Sequence, residues 1–200
     1  MQQWGRWASR ILIVLGLCYA FGAHAEEPVE AVWKPQRATF AYFGHTTFYT
    51  CATLEQKLTL VLRVIGAHED IEFDRRECRA NGPTRLHVRF KSPIEATDEN
   101  VRALTTYDAE EILVAQLRAT ELPTAADLER FPASWKEISF ANDRRLRLSA
   151  SDCEFVEHVR RQLMPHLEAR VVANRIFCTP GRHAVRAPHF VVSALVAEAK

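Results

Sequence analysis

Apolar residues recur at helical spacing in two stretches of the chain. From Cys51, the run to Ile65 puts Leu54, Leu58, Val61 and Ile65 on one face. From Cys153, the run to Leu167 aligns Val156, Val159, Leu163 and Leu167 in the same way. Thr50 stands where the first helix needs a cap, and Ser151 with Glu154 reads as a capping box for the second. Elsewhere the spacing is two. Arg85-Leu86-His87-Val88-Arg89-Phe90-Lys91 alternates strictly, which turns Leu86, Val88 and Phe90 toward a core. Extended runs precede the helices at 39–43 and 137–140, and follow them at 70–73 and 170–173, with a last one at 189–193.

The two patterns stand 102 residues apart. At that offset Cys51 matches Cys153, Leu54 matches Val156, Glu55 matches Glu157, and Val61 matches Leu163. Trp33-Lys34 matches Trp135-Lys136 upstream. The expected fold is α+β, a two-layer α/β sandwich of helices on antiparallel sheet. It comprises two similar units, 26–91 and 135–200, forming an internal pseudo-repeat. Residues 92–134 read as a helical connector, with a helix over 108–118 that starts acidic and ends basic.

The beginning of the chain bears on the compartment. Arg6 and Arg10 precede an apolar run from Ile11 to Phe21, and Ala23-His24-Ala25 supplies small residues before a cut ahead of Glu26. Residues 1–25 therefore read as a cleaved signal peptide, which implies a periplasmic or secreted protein. Lipidation at Cys18 is disfavoured, because Leu17 stands where such signals carry a small residue. No later apolar run is long enough to span a bilayer. Removing residues 1–25 takes away two arginines and no acid, so the net charge goes from +1 to −1. That balance offers no global attraction for nucleic acid or anionic lipid.

Four cysteines remain after the cut: Cys51, Cys78, Cys153 and Cys178. An even count in an oxidising compartment reads as disulfides, and three pairings are possible. A helix of about 15 residues rises roughly 22 Å, and a return strand of eight or nine covers roughly 27–30 Å. The strand's far end thus comes back to the helix start, which favours Cys51–Cys78 and Cys153–Cys178. Dithiol oxidoreductases space their cysteines two apart, and no such pair occurs.

Candidate chemistry is sparse. No His-Glu-x-x-His, Cys-x-x-Cys, Gly-x-Ser-x-Gly or Ser-x-x-Lys is present, and His158 and His166 are two turns apart, too far to share a metal. No catalytic residue, metal site or cofactor is expected. His45 beside Thr46 and Thr47 reads as a turn. On the alternating strand, Arg85, His87, Arg89 and Lys91 form a basic row that could hold an anion, an acidic envelope protein or a glycan. A second basic run, Arg144-Arg145-Leu146-Arg147, could merge with it if the halves pack side by side.

Phe40-x-Tyr42-x-Gly44-x-Thr46-Thr47-x-Tyr49-x-Cys51-x-x-Leu54-x-x-Lys57, with Asp152-Cys153-Glu154, Pro165, Arg170 and Cys178-x-Pro180, resembles uncharacterised exported proteins of Gram-negative bacteria. The resemblance covers both cysteine units and departs at Thr50, where that pattern has serine. It implies export and paired cysteines, and carries no activity. The expected function is a non-catalytic binding or interaction protein of the envelope. The alternative is an envelope hydrolase whose site is assembled from dispersed residues.

Overall fold

The computed structural model describes residues 27–79, 83–182 and 184–198. The expected signal peptide lies outside them. Six strands form one antiparallel sheet in the order β2-β3-β1-β4-β6-β5. β1 (Val29–Tyr42) pairs along its length with β3 (Thr84–Glu95), from Ala31 opposite Glu95 to Tyr42 opposite Thr84. β2 (Glu72–Asp74) is a short edge on β3. β4 (Arg130–Ser139) pairs with β6 (His189–Ala197), and β5 (Ala169–Arg175) forms the other edge. The centre of the sheet is a brief seam, Val29–Val32 against Arg130–Ala133, beyond which β1 and β4 diverge.

Two helices cover one face, α1 (Cys51–Val64) and α4 (Cys153–Gln162). Their apolar stripes meet the even-numbered residues of the strands, including Phe40, Leu86, Val88, Phe90, Phe140, Phe190 and Val192, in one core drawn from both halves of the chain. Phe40, Phe140, Phe155 and Phe190 are wholly buried. Burying each contributes roughly 1.5–3 kcal/mol. α4 packs on β1, while α1 packs on the 3₁₀ turn Arg144–Leu146 that follows β4. Gln162 fixes the first of these crossings. Its side-chain amide accepts from the Ala41 N–H at 2.7 Å and donates to the Ala41 carbonyl at 2.8 Å, on the side of β1 from which β4 has diverged. A smaller cluster of odd-numbered residues, Ala31, Phe131, Ala133 and Leu195, lies at the seam with Trp33 stacked on Phe131.

The helix ends follow local chemistry. The Thr50 hydroxyl accepts from the Thr53 N–H, as its position foretold. α1 closes in a Schellman arrangement, with Ala67 N–H donating to Leu62 and Gly66 N–H to Arg63. Gly66 has φ +97°, and a Cβ there would stand 2.4 Å from the Leu195 carbonyl oxygen, so the turn suits only glycine. α4 is shorter than its apolar stripe suggests. Pro165 has no N–H to continue the helical ladder, and Met164–His166 turn instead as 3₁₀. The capping box before α4 also differs from the expected Ser151–Glu154 pair. It joins Ser149 to Asp152, because the Glu154 carboxylate is turned away toward residues 45–46.

Both disulfides follow the pairing the spacing favoured. Cys51–Cys78 and Cys153–Cys178 tie each helix start to a segment beyond it, with Cα separations of 6.0 and 5.7 Å. The connector holds α2 (Asp98–Leu104), none of whose residues is buried, and α3 (Ala109–Leu117), of which only Ala115 is buried. Among the described residues, no helix is long and apolar enough to cross a membrane.

Candidate functional site

α3 stands over the sheet face opposite α1 and α4, and the space beneath it is the candidate site. Two open hollows of about 650 and 1140 Å³ share Arg37, Arg89 and Arg118 in their walls. Strand alternation puts Arg37 and Thr39 of β1 beside His87 and Arg89 of β3 on this face. Arg118 is the C-cap of α3, facing the same hollows.

α3 is oriented unusually. Asp108, Glu110, Glu111 and Val114 line the larger hollow with Arg118, while Ile112, Leu113 and Leu117 are exposed to solvent. Only Ala115 of this helix is buried. The Asp108–Glu111 capping box fixes its start, and the Tyr107 hydroxyl donates to the Pro123 carbonyl at 2.6 Å.

The basic row on β3 is on this face, and the neighbouring segment answers each member. Arg85 pairs with Glu77 at 3.0 Å, and His87 approaches the other Glu77 oxygen at 3.4 Å. Arg89 pairs with Glu72 at 2.8 Å, and Lys91 stands 3.9 Å from Asp70. The His87 hydrogen bond, then Arg85, hold the Glu77 carboxyl below its ordinary range. Arg76 does the same to Asp74, lowering it to about 2. These pairs are exposed, and contribute little to stability.

Two further cations are different. Arg37 and Arg118 line both hollows and have no acidic partner among the described residues. Neither belonged to the row legible in the sequence, since they come from other elements. Together with Arg76 and Arg89, they make the smaller hollow cationic, with Asp74 the one acid in its wall. The Thr39 hydroxyl and His87 Nδ1 lie 3.1 Å apart on its floor. Guanidinium groups bind phosphate, sulfate or carboxylate through paired donors, so the geometry suits an anionic group. The run 144–147 does not join it: Leu146 is buried, Arg145 folds back on Asp143, and none of its arginines lines either hollow.

A second polar cluster lies where the helix starts meet. Asp152, 3% exposed, accepts from the Tyr49 hydroxyl, from Lys57 Nζ at 2.7 Å and from the Ser149 N–H at 2.8 Å. Burial raises the Asp152 carboxyl, but Lys57, Tyr49 and Ser149 outweigh it and hold the group below its usual range. Burial, then the hydrogen bond to Asp152, raises the Tyr49 phenol. Glu154 accepts from the N–H groups of His45 and Thr46, both at 3.0 Å, and from the Thr46 hydroxyl at 3.1 Å. Thr47 donates to the Ser151 carbonyl at 2.8 Å, so the turn at 45–47 docks on the start of α4. His158 is held with its Nδ1 2.8 Å from the Gln162 amide nitrogen, and burial lowers its pKa. The contacts of residues 45–47 and Tyr49 with residues 151–154 cross more than a hundred residues of sequence, and so join the two halves.

Among the described residues, no group of three or more His, Cys, Asp or Glu is placed to hold a metal ion. No family model, curated protein or solved structure matches this chain.

Proposed function

We propose that the protein is an exported, non-catalytic binding module that takes an anionic group in the hollow between α3 and the sheet. The observation that carries this reading is the pair Arg37 and Arg118, which form no ion pair among the described residues and line the smaller, cationic hollow, apart from the carboxylates that line the larger one. Calorimetric titration with inorganic pyrophosphate, and separately with a short sulfated oligosaccharide, tests it. Saturable binding to one of them is expected. Arg37→Ala and Arg118→Ala should each weaken it about tenfold or more, the worth of a hydrogen bond to a charged group. Heat that survives both substitutions, or no heat from either probe, rejects the site.

Export rests on the leader pattern of residues 1–25 and fits two disulfides. N-terminal sequencing of protein recovered from the envelope of an expressing bacterium is expected to begin at Glu26. Retention of Met1 on cytoplasmic protein would remove the basis for this assignment.

The halves are proposed to be copies of one strand–helix–strand–strand unit. Register supports this beyond composition: Trp33 faces Pro93, and 102 residues on, Trp135 faces Leu195. That shift carries each of the seven β4–β6 pairs onto a pair of the β1–β3 ladder. A slipped register between halves in an experimental structure would end this reading.

A further inference from the structure

The loop after β5 carries a charge pattern found nowhere else in the chain. Between Glu168 and Glu198 there is no acidic residue, and Arg170, Arg175, Arg182 and Arg186 stand in that interval. The corresponding stretch of the first half runs the other way, with Asp70, Glu72, Asp74 and Glu77 pairing with neighbouring cations. Arg175, Arg182 and Arg186 have no acidic partner among the described residues, and all three line one open hollow of about 520 Å³. Phe177 and Val185 line the same hollow. They are 84% and 94% exposed, more than any other large apolar side chain described.

This loop is braced, so its apolar side chains are presented rather than left loose. The Cys153–Cys178 bridge fastens it to the start of α4, next to Phe177. Gly181 turns with φ +73°, and its N–H donates to the Thr46 hydroxyl at 3.1 Å. An aromatic and a branched side chain held out among unpaired arginines have the make-up of a membrane-surface contact. The guanidinium groups meet lipid phosphates while the apolar groups enter the boundary of the acyl region.

We propose that Arg175, Phe177, Arg182, Val185 and Arg186 of this loop dock the protein on an anionic phospholipid surface. The attraction is local, since the chain from Glu26 carries a net charge of −1. This proposal is independent of the hollow under α3.

The test is co-sedimentation of the oxidised chain from Glu26 onward, which contains every described element. The vesicles are phosphatidylcholine mixed with phosphatidylglycerol, and phosphatidylcholine alone. Binding is expected only to the mixed vesicles, and should fall as salt rises. Arg182→Ala combined with Arg186→Ala should weaken it about thirtyfold, at about 1 kcal/mol per basic residue. Phe177→Ser should weaken it about tenfold or more through lost apolar burial. Because these side chains are exposed, thermal melts should match the parent, and pyrophosphate heat from the hollow under α3 should persist. Equal binding to both vesicles, or none to either, overturns the proposal. So does vesicle binding that ignores Phe177→Ser and is abolished by soluble heparin, which would assign the loop to a polyanion.

Discussion

Asp152→Ala is expected to cost about 3–5 kcal/mol of folding stability, the range for removing one partner of a buried ion pair. The carboxylate is 3% exposed, and Lys57, Tyr49 and Ser149 all direct donors at it. Alanine would leave the Lys57 ammonium, 18% exposed, without its counter-charge. Urea unfolding at neutral pH measures the loss, and a change below about 1 kcal/mol would mean that water already reaches the cluster. Acid adds a signature. The folded Asp152 carboxyl is held below its ordinary value of 3.8, so its stabilisation is complete above that value. It disappears as pH falls through the lower folded value. Asp152→Asn should therefore flatten part of the acid limb of the stability profile. Asp74 and Glu77 are also lowered, but both remain in the parent and in the variant, so the difference between the two isolates Asp152.

Removing the disulfides should have the largest effect of all. The bridges span 27 and 25 residues, each worth about 3–4 kcal/mol in the chain-entropy model. Together they approach the whole stability of an ordinary domain, about 5–15 kcal/mol. Replacing all four cysteines by alanine, or reducing the protein, is expected to abolish the cooperative thermal transition or move it down by well over 10 °C. A melt indifferent to reductant would show that the shared core suffices alone. Substituting one pair at a time should give an intermediate loss for each.

Much of the fold was legible because its signals are local. Leu54, Leu58 and Val61 repeat at helical spacing, and all are buried. Leu86, Val88 and Phe90 alternate, and all face the core. Thr50 caps the helix it precedes. What stayed hidden depends on distant partners. Glu154 looked like a capping residue because Ser151 stands three positions away, but its carboxylate satisfies N–H groups more than a hundred residues upstream. The basic row on β3 was read correctly as a row, while the acids that pair with it lie on the β2 side and become neighbours only in the sheet. Arg37 and Arg118 carry no shared pattern, and only the placement of α3 brings them together. α2 is only seven residues long and buries none of them, and the connector read as having one helix.

The pattern of the bridges bears on how the chain is oxidised. Each joins a cysteine to the next one along the sequence after Cys18, and neither bridge encloses a foreign cysteine. A chain that enters an oxidising compartment N-terminus first exposes Cys51 and Cys78 before Cys153 emerges. Pairing in order of arrival therefore yields the native set, and a scrambled bond requires an early thiol to wait for a late one. The core makes the opposite demand, since α4 of the second half packs on β1 of the first, so a chain oxidised in order of arrival would close its first bridge before that strand is covered.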